Sequence, residues 1–309
     1  MKAMVCTKYG SPDVLELQEL EKPIPKKDEV LIKVHATTVS SGDCRIRGFH
    51  SPLAYWIPMR IVLGLRKPRK AILGTELSGE VEAVGEHVRR YKKGDQIFAF
   101  TGMGLGGHAE YVCLREDSLM ALKPANATYE EAASVLFAGT SALHFLRKGN
   151  IQRGQKVLIY GASGAVGTSA IQLAKHFGAE VTGVCSTSNV ELVKSLGADQ
   201  VVDYTRGDFS KRGEHYDLIF DAVAKSVKSA CKVLLSPSGK FVSVEGSGIA
   251  KVRMEHIQLL KELIEQGQIK AVIDRCYPLE QMREAHAYVE KGHKKGNVVI
   301  TIEQPAYKQ

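Results

Sequence analysis

The sequence predicts two architectures in one chain: a small β-barrel or sandwich, and a parallel sheet with helices on both faces. Up to about Leu122 the apolar residues fall in short runs bounded by Gly, Pro or Asp, as in Val30-Leu31-Ile32-Lys33-Val34-His35-Ala36. Many short strands with glycine-rich turns fold as barrels or sandwiches. From Thr128 onward, strand-length apolar runs alternate with amphipathic helical stretches, the pattern of repeated βαβ units. A length of 309 residues suits two such domains.

In the first regime Leu77–Val84, Gln96–Phe100 and His108–Leu114 read as strands beside the 30–36 run. Residues 51–70 differ, being apolar first and strongly basic afterwards; they read as a long loop or a short helix. The second regime opens with a strand at Lys156–Tyr160, a glycine turn, and a helix over Val166–Phe177 that Gly178 stops, since glycine takes positive φ without strain. Strands follow at Glu180–Val184, Gln200–Val202, Tyr216–Phe220 and Lys240–Val244, with helices at Val190–Leu196 and Val227–Leu235. The tail reads as helix Glu255–Gln266, strand Ala271–Ile273, helix Glu280–Lys291 and strand Asn297–Ile302.

With 44% hydrophobic and 25% charged residues, the composition excludes wholesale disorder and collagen-like repeats. The formal net charge of +8 raises an anionic partner of some kind, whether nucleic acid, a membrane surface or a phosphorylated ligand. The six cysteines lie at least 38 positions apart, so no zinc ribbon or disulfide framework is supported, and a reducing compartment is expected. The first residues are too polar for a signal peptide. The most apolar stretch, Leu53 to Leu65, is broken by Pro58, Arg60 and Gly64, short of a membrane span. The expectation is a cytoplasmic protein with no membrane partner. The histidines lack metal spacing, and the basic runs read as solvated faces.

The sharpest motif is Val157-Leu158-Ile159-Tyr160-Gly161-Ala162-Ser163-Gly164-Ala165-Val166-Gly167. A strand enters a tight glycine turn and then a helix, whose free N–H groups and positive dipole end suit a pyrophosphate. The continuing βαβ pattern is the context that turns spaced glycines into a dinucleotide site. An NAD site places Asp or Glu about 20 residues on, at the end of the second strand. Here that place reads Gly183-Val184-Cys185-Ser186-Thr187-Ser188-Asn189, with no acid before Glu191. A carboxylate would repel a 2′-phosphate, whereas hydroxyls and an amide can donate to one, so NADP(H) is favoured.

These residues resemble the medium-chain dehydrogenase/reductase superfamily, in its zinc-independent, quinone-oxidoreductase-like branch. The landmarks are Ser40-Ser41-Gly42-Asp43 with Arg47-Gly48, Gly74-Thr75-Glu76, Gly79-Glu80-Val81, Gly94-Asp95 and Gly107-His108-Ala109-Glu110-Tyr111. Gly139-Thr140-Ser141-Ala142, the glycine turn, Leu196-Gly197-Ala198-Asp199 and Gly292-His293 with Gly296-Asn297-Val298-Val299 complete the series. The resemblance implies an α/β plus β fold: a GroES-like β-barrel domain (1–122 and 267–309) with an inserted Rossmann dinucleotide-binding domain (123–266), and a substrate cleft between them. It implies that Ser163, Gly164, Ala165, Val166 and Gly167 line the pyrophosphate. Ser186, Asn189 and Tyr204 would sit by the 2′-phosphate, and Thr140, Ala162, Val223 and Val244 would complete the cofactor side. Many relatives carry Lys at the Asn189 place.

Zinc-dependent relatives hold a catalytic metal where this chain has Ser40 and Thr75, and a structural-zinc loop where only residues 96–107 separate Asp95 from His108. Zinc needs thiolate, imidazole or carboxylate ligands, so no metal is expected. The chemistry implied is hydride transfer from NADPH to a quinone or an α,β-unsaturated carbonyl. Ser40, Ser41, Asp43, Tyr55 and Thr75 are candidates for stabilising or protonating the developing oxyanion. Asp43 also reads as a buried cap of local backbone, Thr75 as a packing residue. Tyr55 and Trp56 read equally as a lid over an aromatic substrate or as cover for the barrel mouth. Competing readings are a nucleotide-regulated RNA- or protein-binding member of the same fold and an alcohol or aldehyde oxidoreductase. A homodimer through the sheet edge near Lys240–Val244 is expected, and a nucleic-acid partner is not. Between Val244 and the next helix the chain is short of the helix and loop that relatives place over the nicotinamide, and Ala224 replaces a common glycine.

Overall fold

The structure is a computed structural model that describes all residues except 50–52, 208, 210–212, 225–227, 247, 249 and 303–309. The described chain divides into two compact units, Met1–Leu136 with Ile273–Gln309, and Phe137–Val272.

The first unit begins with β1 (Lys2–Cys6), β2 (Leu15–Glu19) and the long β3 (Glu29–Thr38), followed by α1 (Ser41–Gly48) and α2 (Leu53–Leu63). Then come β4 (Glu76–Val84), β5 (Gln96–Phe100), β6 (Tyr111–Arg115), β7 (Met120–Leu122) and α3 (Tyr129–Ser134). In the second unit, α4 (Leu136–Lys148, its first residue still in the first unit) precedes β8 (Lys156–Tyr160), α5 (Ala165–His176), β9 (Glu180–Cys185), α6 (Val190–Ser195) and β10 (Gln200–Asp203). It continues through β11 (Tyr216–Asp221), α7 (Lys228–Lys232), β12 (Leu235–Ser243) and α8 (Met254–Glu265). The chain then returns to the first unit as β13 (Ile273–Pro278), α9 (Met282–Glu290) and β14 (Asn297–Thr301).

The tail enters the first unit by pairing. β14 runs antiparallel to β3, with Val299 opposite Thr38 and Thr301 opposite Ala36. The resulting sheet has the order β13-β14-β3-β4-β5-β7, with β6 also paired to β3. Its apolar face, from Val30, Ile32 and Val34 to Val298 and Ile300, closes on Met282, Ala285 and Val289 of α9. The second unit is a five-stranded parallel sheet of order β10-β9-β8-β11-β12. This is the GroES-like plus Rossmann-like architecture the sequence implies.

The structure corrects several boundaries. The first unit extends through α3, beyond residue 122, because that helix packs on β3, β4 and β14. The tail strand is Ile273–Pro278, not Ala271–Ile273. As the last strand of its sheet among the described residues, paired with β14, it tolerates the polar Asp274 and Arg275 that hid it. Residues 53–63 of the ambiguous 51–70 stretch form α2 despite Pro58. β12 starts at Leu235, through Ser236-Pro237-Ser238-Gly239, with an irregularity in its register between Tyr216 and Leu218. The helix expected at Val227–Leu235 is thereby confined to Lys228–Lys232, Val227 lying outside the described residues.

Candidate functional site

The glycine turn follows from three close approaches. Gly161 (φ +78°) turns the chain at the end of β8, and a Cβ there would lie 2.4 Å from Val223 Cγ1. The Gly161 and Ala162 N–H groups both donate to the Val184 carbonyl, at 3.2 and 3.0 Å, which ties the turn to β9. At Gly167 a Cβ would fall 2.1 Å from the Gly161 carbonyl oxygen, so only hydrogen lets α5 come this close to the turn.

Gly164 is the N-cap of α5, and no side chain caps that end. A helix N-terminus leaves its first N–H groups without intrahelical acceptors, and here they end a turn lined by Ser163. A Cβ on Gly164 would meet nothing nearer than the Gly161 oxygen, at 3.5 Å. A backbone open on this side and rich in free donors fits a dinucleotide pyrophosphate.

Beside it, the structure joins residues that lie apart in sequence. The buried Asn189 amide donates to Ser163 Oγ (3.0 Å) and Ser186 Oγ (3.2 Å), while its Oδ1 is buried with no hydrogen-bond partner among the described residues. The exposed Tyr204 donates its N–H to the Cys185 carbonyl at 3.1 Å. Ser163, Ser186, Asn189 and Tyr204 therefore lie together at the ends of β8, β9 and β10.

One acid escaped that reading. No carboxylate lies along the chain at the end of β9, but strand pairing sets Asp203 of β10 opposite Cys185. Its carboxylate accepts from Thr187 Oγ1 (2.5 Å), Thr205 Oγ1 (2.6 Å) and the Thr205 N–H (2.9 Å), with Arg206 Nε at 3.4 Å. The Thr187 hydroxyl, then that of Thr205, holds its pKa below the usual carboxylate range. The only sequence cue was its place one residue past the Gln200–Val202 strand.

The other cofactor candidates are backbone positions or buried packing. Thr140 and Ala162 are fully buried. Asp221 accepts from the Val223 and Ala224 N–H groups (3.1 and 3.0 Å) and from Ser243 Oγ (3.2 Å), and the Val244 N–H donates to its carbonyl (3.1 Å). This brings Val223 and Val244 together at the ends of β11 and β12. Ala224 takes φ +57°, which costs a residue with a Cβ about 1–2 kcal/mol. Ala224→Gly is expected to stabilise the protein by about 0.5–1 kcal/mol after glycine's own entropy cost, read as a raised denaturant midpoint with unchanged slope. No helix or strand lies between β12 (Leu235–Ser243) and α8 (Met254–Glu265) among the described residues.

In the first unit, Ser40 and Asp43 form a capping box at the start of α1. Asp43 Oδ2 accepts from the Ser40 N–H (2.8 Å) and Ser40 Oγ (2.6 Å), and Oδ1 accepts from the Gly74 N–H (3.3 Å). Asp43 is completely buried. That corrects its candidacy as a catalytic acid: it positions Ser40 and the Gly74–Thr75 turn. Thr75 is buried, and its Oγ1 has no hydrogen-bond partner among the described residues; a buried hydroxyl left this way stands ready for another group. Ser41 is exposed, and the Tyr55 side chain lies outside the described residues. Glu76 accepts from Thr38 Oγ1 at 2.5 Å. Among the described residues no three His, Cys, Asp or Glu side chains group as a metal site.

The alcohol dehydrogenase GroES-like domain family matches residues 26–124, and the zinc-binding dehydrogenase family residues 165–291. The 2-methylene-furan-3-one reductase of Solanum lycopersicum is 35% identical over 97% of this chain and 79% of its own length. The chain belongs to the medium-chain dehydrogenase/reductase family. A second family member, the NADPH-dependent alkenal/one oxidoreductase of Arabidopsis thaliana, is 34% identical over 97% of the chain and 79% of that relative. The solved quinone oxidoreductase of Coxiella burnetii superposes with TM-score 0.81 at 27% identity, over 98% of this chain and 99% of that one. The donor set at Ser40 and Thr75 does not fit the zinc in the second family's description, since neither hydroxyl is a customary zinc ligand.

Proposed function

We propose that the chain is an NADPH-dependent reductase that delivers a hydride to quinones or α,β-unsaturated carbonyls without zinc, its acceptor held in the cleft the family resemblance implies. The observation that carries the reading is the uncapped α5 N-terminus behind the Gly161–Gly167 turn, with the Ser163–Asn189–Ser186 hydrogen-bonded cluster at its side. Relatives named as NADPH-dependent alkenal/one and quinone oxidoreductases support the reaction class.

NADPH bound there supplies the hydride. The α5 N–H groups would hold the pyrophosphate, and Ser186, Asn189, Tyr204 and Arg206 would face the 2′-phosphate, the Arg206 guanidinium supplying the charge that relatives take from Lys at the Asn189 place. On the first unit, the free Thr75 hydroxyl would donate to the oxygen of the acceptor as it gains charge, beside Ser40, whose own hydroxyl proton is held by Asp43. With hydroxyls at Ser40 and Thr75 rather than zinc ligands, the acceptor in this reading is one already activated by its own conjugation. A homodimer through β12, which among the described residues is an edge strand paired with β11, and a reducing cytoplasmic setting, consistent with six free cysteines, belong to the same proposal.

The test is an NADPH and NADH fluorescence titration, followed by turnover of phenanthrenequinone and a panel of enones with and without chelator. Chelator-insensitive oxidation of NADPH is expected. Tight NADPH binding with no turnover of any quinone or enone would sink the reaction. In the same titration Asp203→Asn is expected to raise the NADPH-to-NADH affinity ratio about fivefold, since it removes a like charge from beside the 2′-phosphate.

A further inference from the structure

The net charge of the chain is concentrated in one place. Residues 44–75 contain seven Lys or Arg and no Asp or Glu, and so carry seven of the eight net positive charges. Arg47 is spent internally, completely buried and paired with Glu290. Arg45, Arg66, Lys67, Arg69 and Lys70 are exposed.

The same segment exposes apolar surface. On α2, Ile57 is 67% and Ile61 64% exposed, Trp56 and Val62 are also exposed, and Leu65 just beyond the helix is 73% exposed. Single exposed aliphatic residues are ordinary, but a contiguous group rimmed by charge marks an interaction site.

This surface is built. The Arg60 guanidinium sits against the rings of Tyr9, Phe49 and Trp56 and donates to the Leu65 carbonyl (2.5 Å). The Tyr9 hydroxyl donates to the Gly64 carbonyl (2.9 Å), and the Arg69 N–H to that of Leu63 (2.7 Å). Leu63 is buried beneath. The basic loop is thereby folded back against the end of the helix that carries the apolar residues.

We propose that α2 and the basic loop after it are a docking surface for an anionic lipid bilayer. Ile57, Ile61, Val62 and Leu65 would enter the headgroup–acyl boundary, with Arg66, Lys67 and Arg69 on the phosphates. An interfacial element combines an apolar face with Lys and Arg beside it, and anionic leaflets attract such clusters. A second copy of this chain fits worse, because a two-fold interface would set the basic loop against itself. RNA fits worse as well, since exposed Ile, Val and Leu offer neither stacking nor hydrogen bonds to bases. No described helix is long and apolar enough to cross a membrane, so the proposal is peripheral contact. It departs from the expectation of no membrane partner, and it does not rest on the proposed reaction.

Trp56 is the single tryptophan of the chain, so its emission reports insertion directly. The full chain is mixed with vesicles of phosphatidylcholine alone, and of phosphatidylcholine with phosphatidylglycerol. Co-sedimentation and a blue shift of Trp56 emission are expected only with the anionic vesicles, weakening as salt is raised. Arg66→Glu with Lys67→Glu is expected to weaken binding at least about 25-fold, from roughly fivefold per lost basic residue, and Ile61→Asp about tenfold or more. All three positions are exposed, and unchanged circular dichroism and NADPH affinity check the fold. No binding to anionic vesicles, or equal binding by the variants, overturns the proposal, as does RNA or an acidic polypeptide bound while vesicles are ignored. If Ile61→Asp instead loses turnover of a water-soluble quinone while keeping vesicle binding, α2 serves the acceptor and the proposal falls.

Discussion

Gly167→Ala is expected to abolish measurable NADPH binding and to lower stability by about 3 kcal/mol. The added methyl would lie 2.1 Å from the Gly161 carbonyl oxygen, 2.8 Å from Ala162 Cα and 2.9 Å from its carbonyl carbon. All three are backbone atoms, so no rotamer change relieves the clash, and overpacking of this kind costs about 1–3 kcal/mol or more. Relief requires α5 to move away from β8, which carries its free N–H groups off the pyrophosphate position. Gly164→Ala is the matched control: its methyl would meet one atom at 3.5 Å, so the fold should hold while the methyl stands on the ligand side. Melting temperature separates the two, and cofactor fluorescence should show loss in both. Wild-type affinity and stability in Gly167→Ala would mean the turn is not the dinucleotide cradle.

The contrast between Gly167 and Asp203 shows what was legible in the sequence. The turn could be read because its pattern is local: a strand, spaced glycines, of which Gly167 is barred from a Cβ by the turn's own backbone, then a helix. Asp203 is brought to Cys185 by parallel pairing of β10 with β9, and nothing in either segment alone announces it. The same holds for Thr38 and Glu76, joined by a hydrogen bond across 38 residues. α1 went unassigned because Ser-Gly-Asp-Cys-Arg-Ile-Arg-Gly has no apolar period, and only its capping box forecasts it. Asp43 and Thr75 were ambiguous for a simpler reason: composition does not distinguish a carboxylate used by backbone N–H groups from one aimed at a ligand. The charge was visible as a total, and its crowding onto one segment became meaningful once Ile57 and Ile61 were seen to be exposed beside it.

Stability is expected to fall as pH drops through 6.5, by about 1.4 kcal/mol per unit there and steepening to about 2–3 kcal/mol per unit roughly one unit lower, through His108 and His286. Both are completely buried, with ring centroids 6.0 Å apart. His108 Nε2–H donates to the Thr38 carbonyl (2.9 Å), and its Nδ1 has no partner among the described residues. A second proton would be a buried donor with nowhere to go. His286 Nδ1 lies 3.4 Å from Cys44 Sγ, whose thiol burial pushes up to about 12 and so keeps protonated as the donor. Burial lowers both pKa values, with the charge of Arg47 adding to the effect on His286, while Asp43 partly opposes it at His108. The unfolded chain takes up these protons near the ordinary value of 6.5, whereas the folded chain does not. Protons therefore favour unfolding, and stability is fullest above 6.5 and declines as pH falls toward the depressed folded values. Each histidine contributes about 0.7 kcal/mol per unit at 6.5 and approaches about 1.4 kcal/mol per unit below it. Thermal melts from neutral pH down to about pH 5 measure the slope, and His108→Gln, whose amide can still donate to Thr38, should remove about half of it. An unchanged slope in that variant would place the acid sensitivity elsewhere, with His35, His144 and His256, whose pKa values are also lowered by burial, as the next groups to replace.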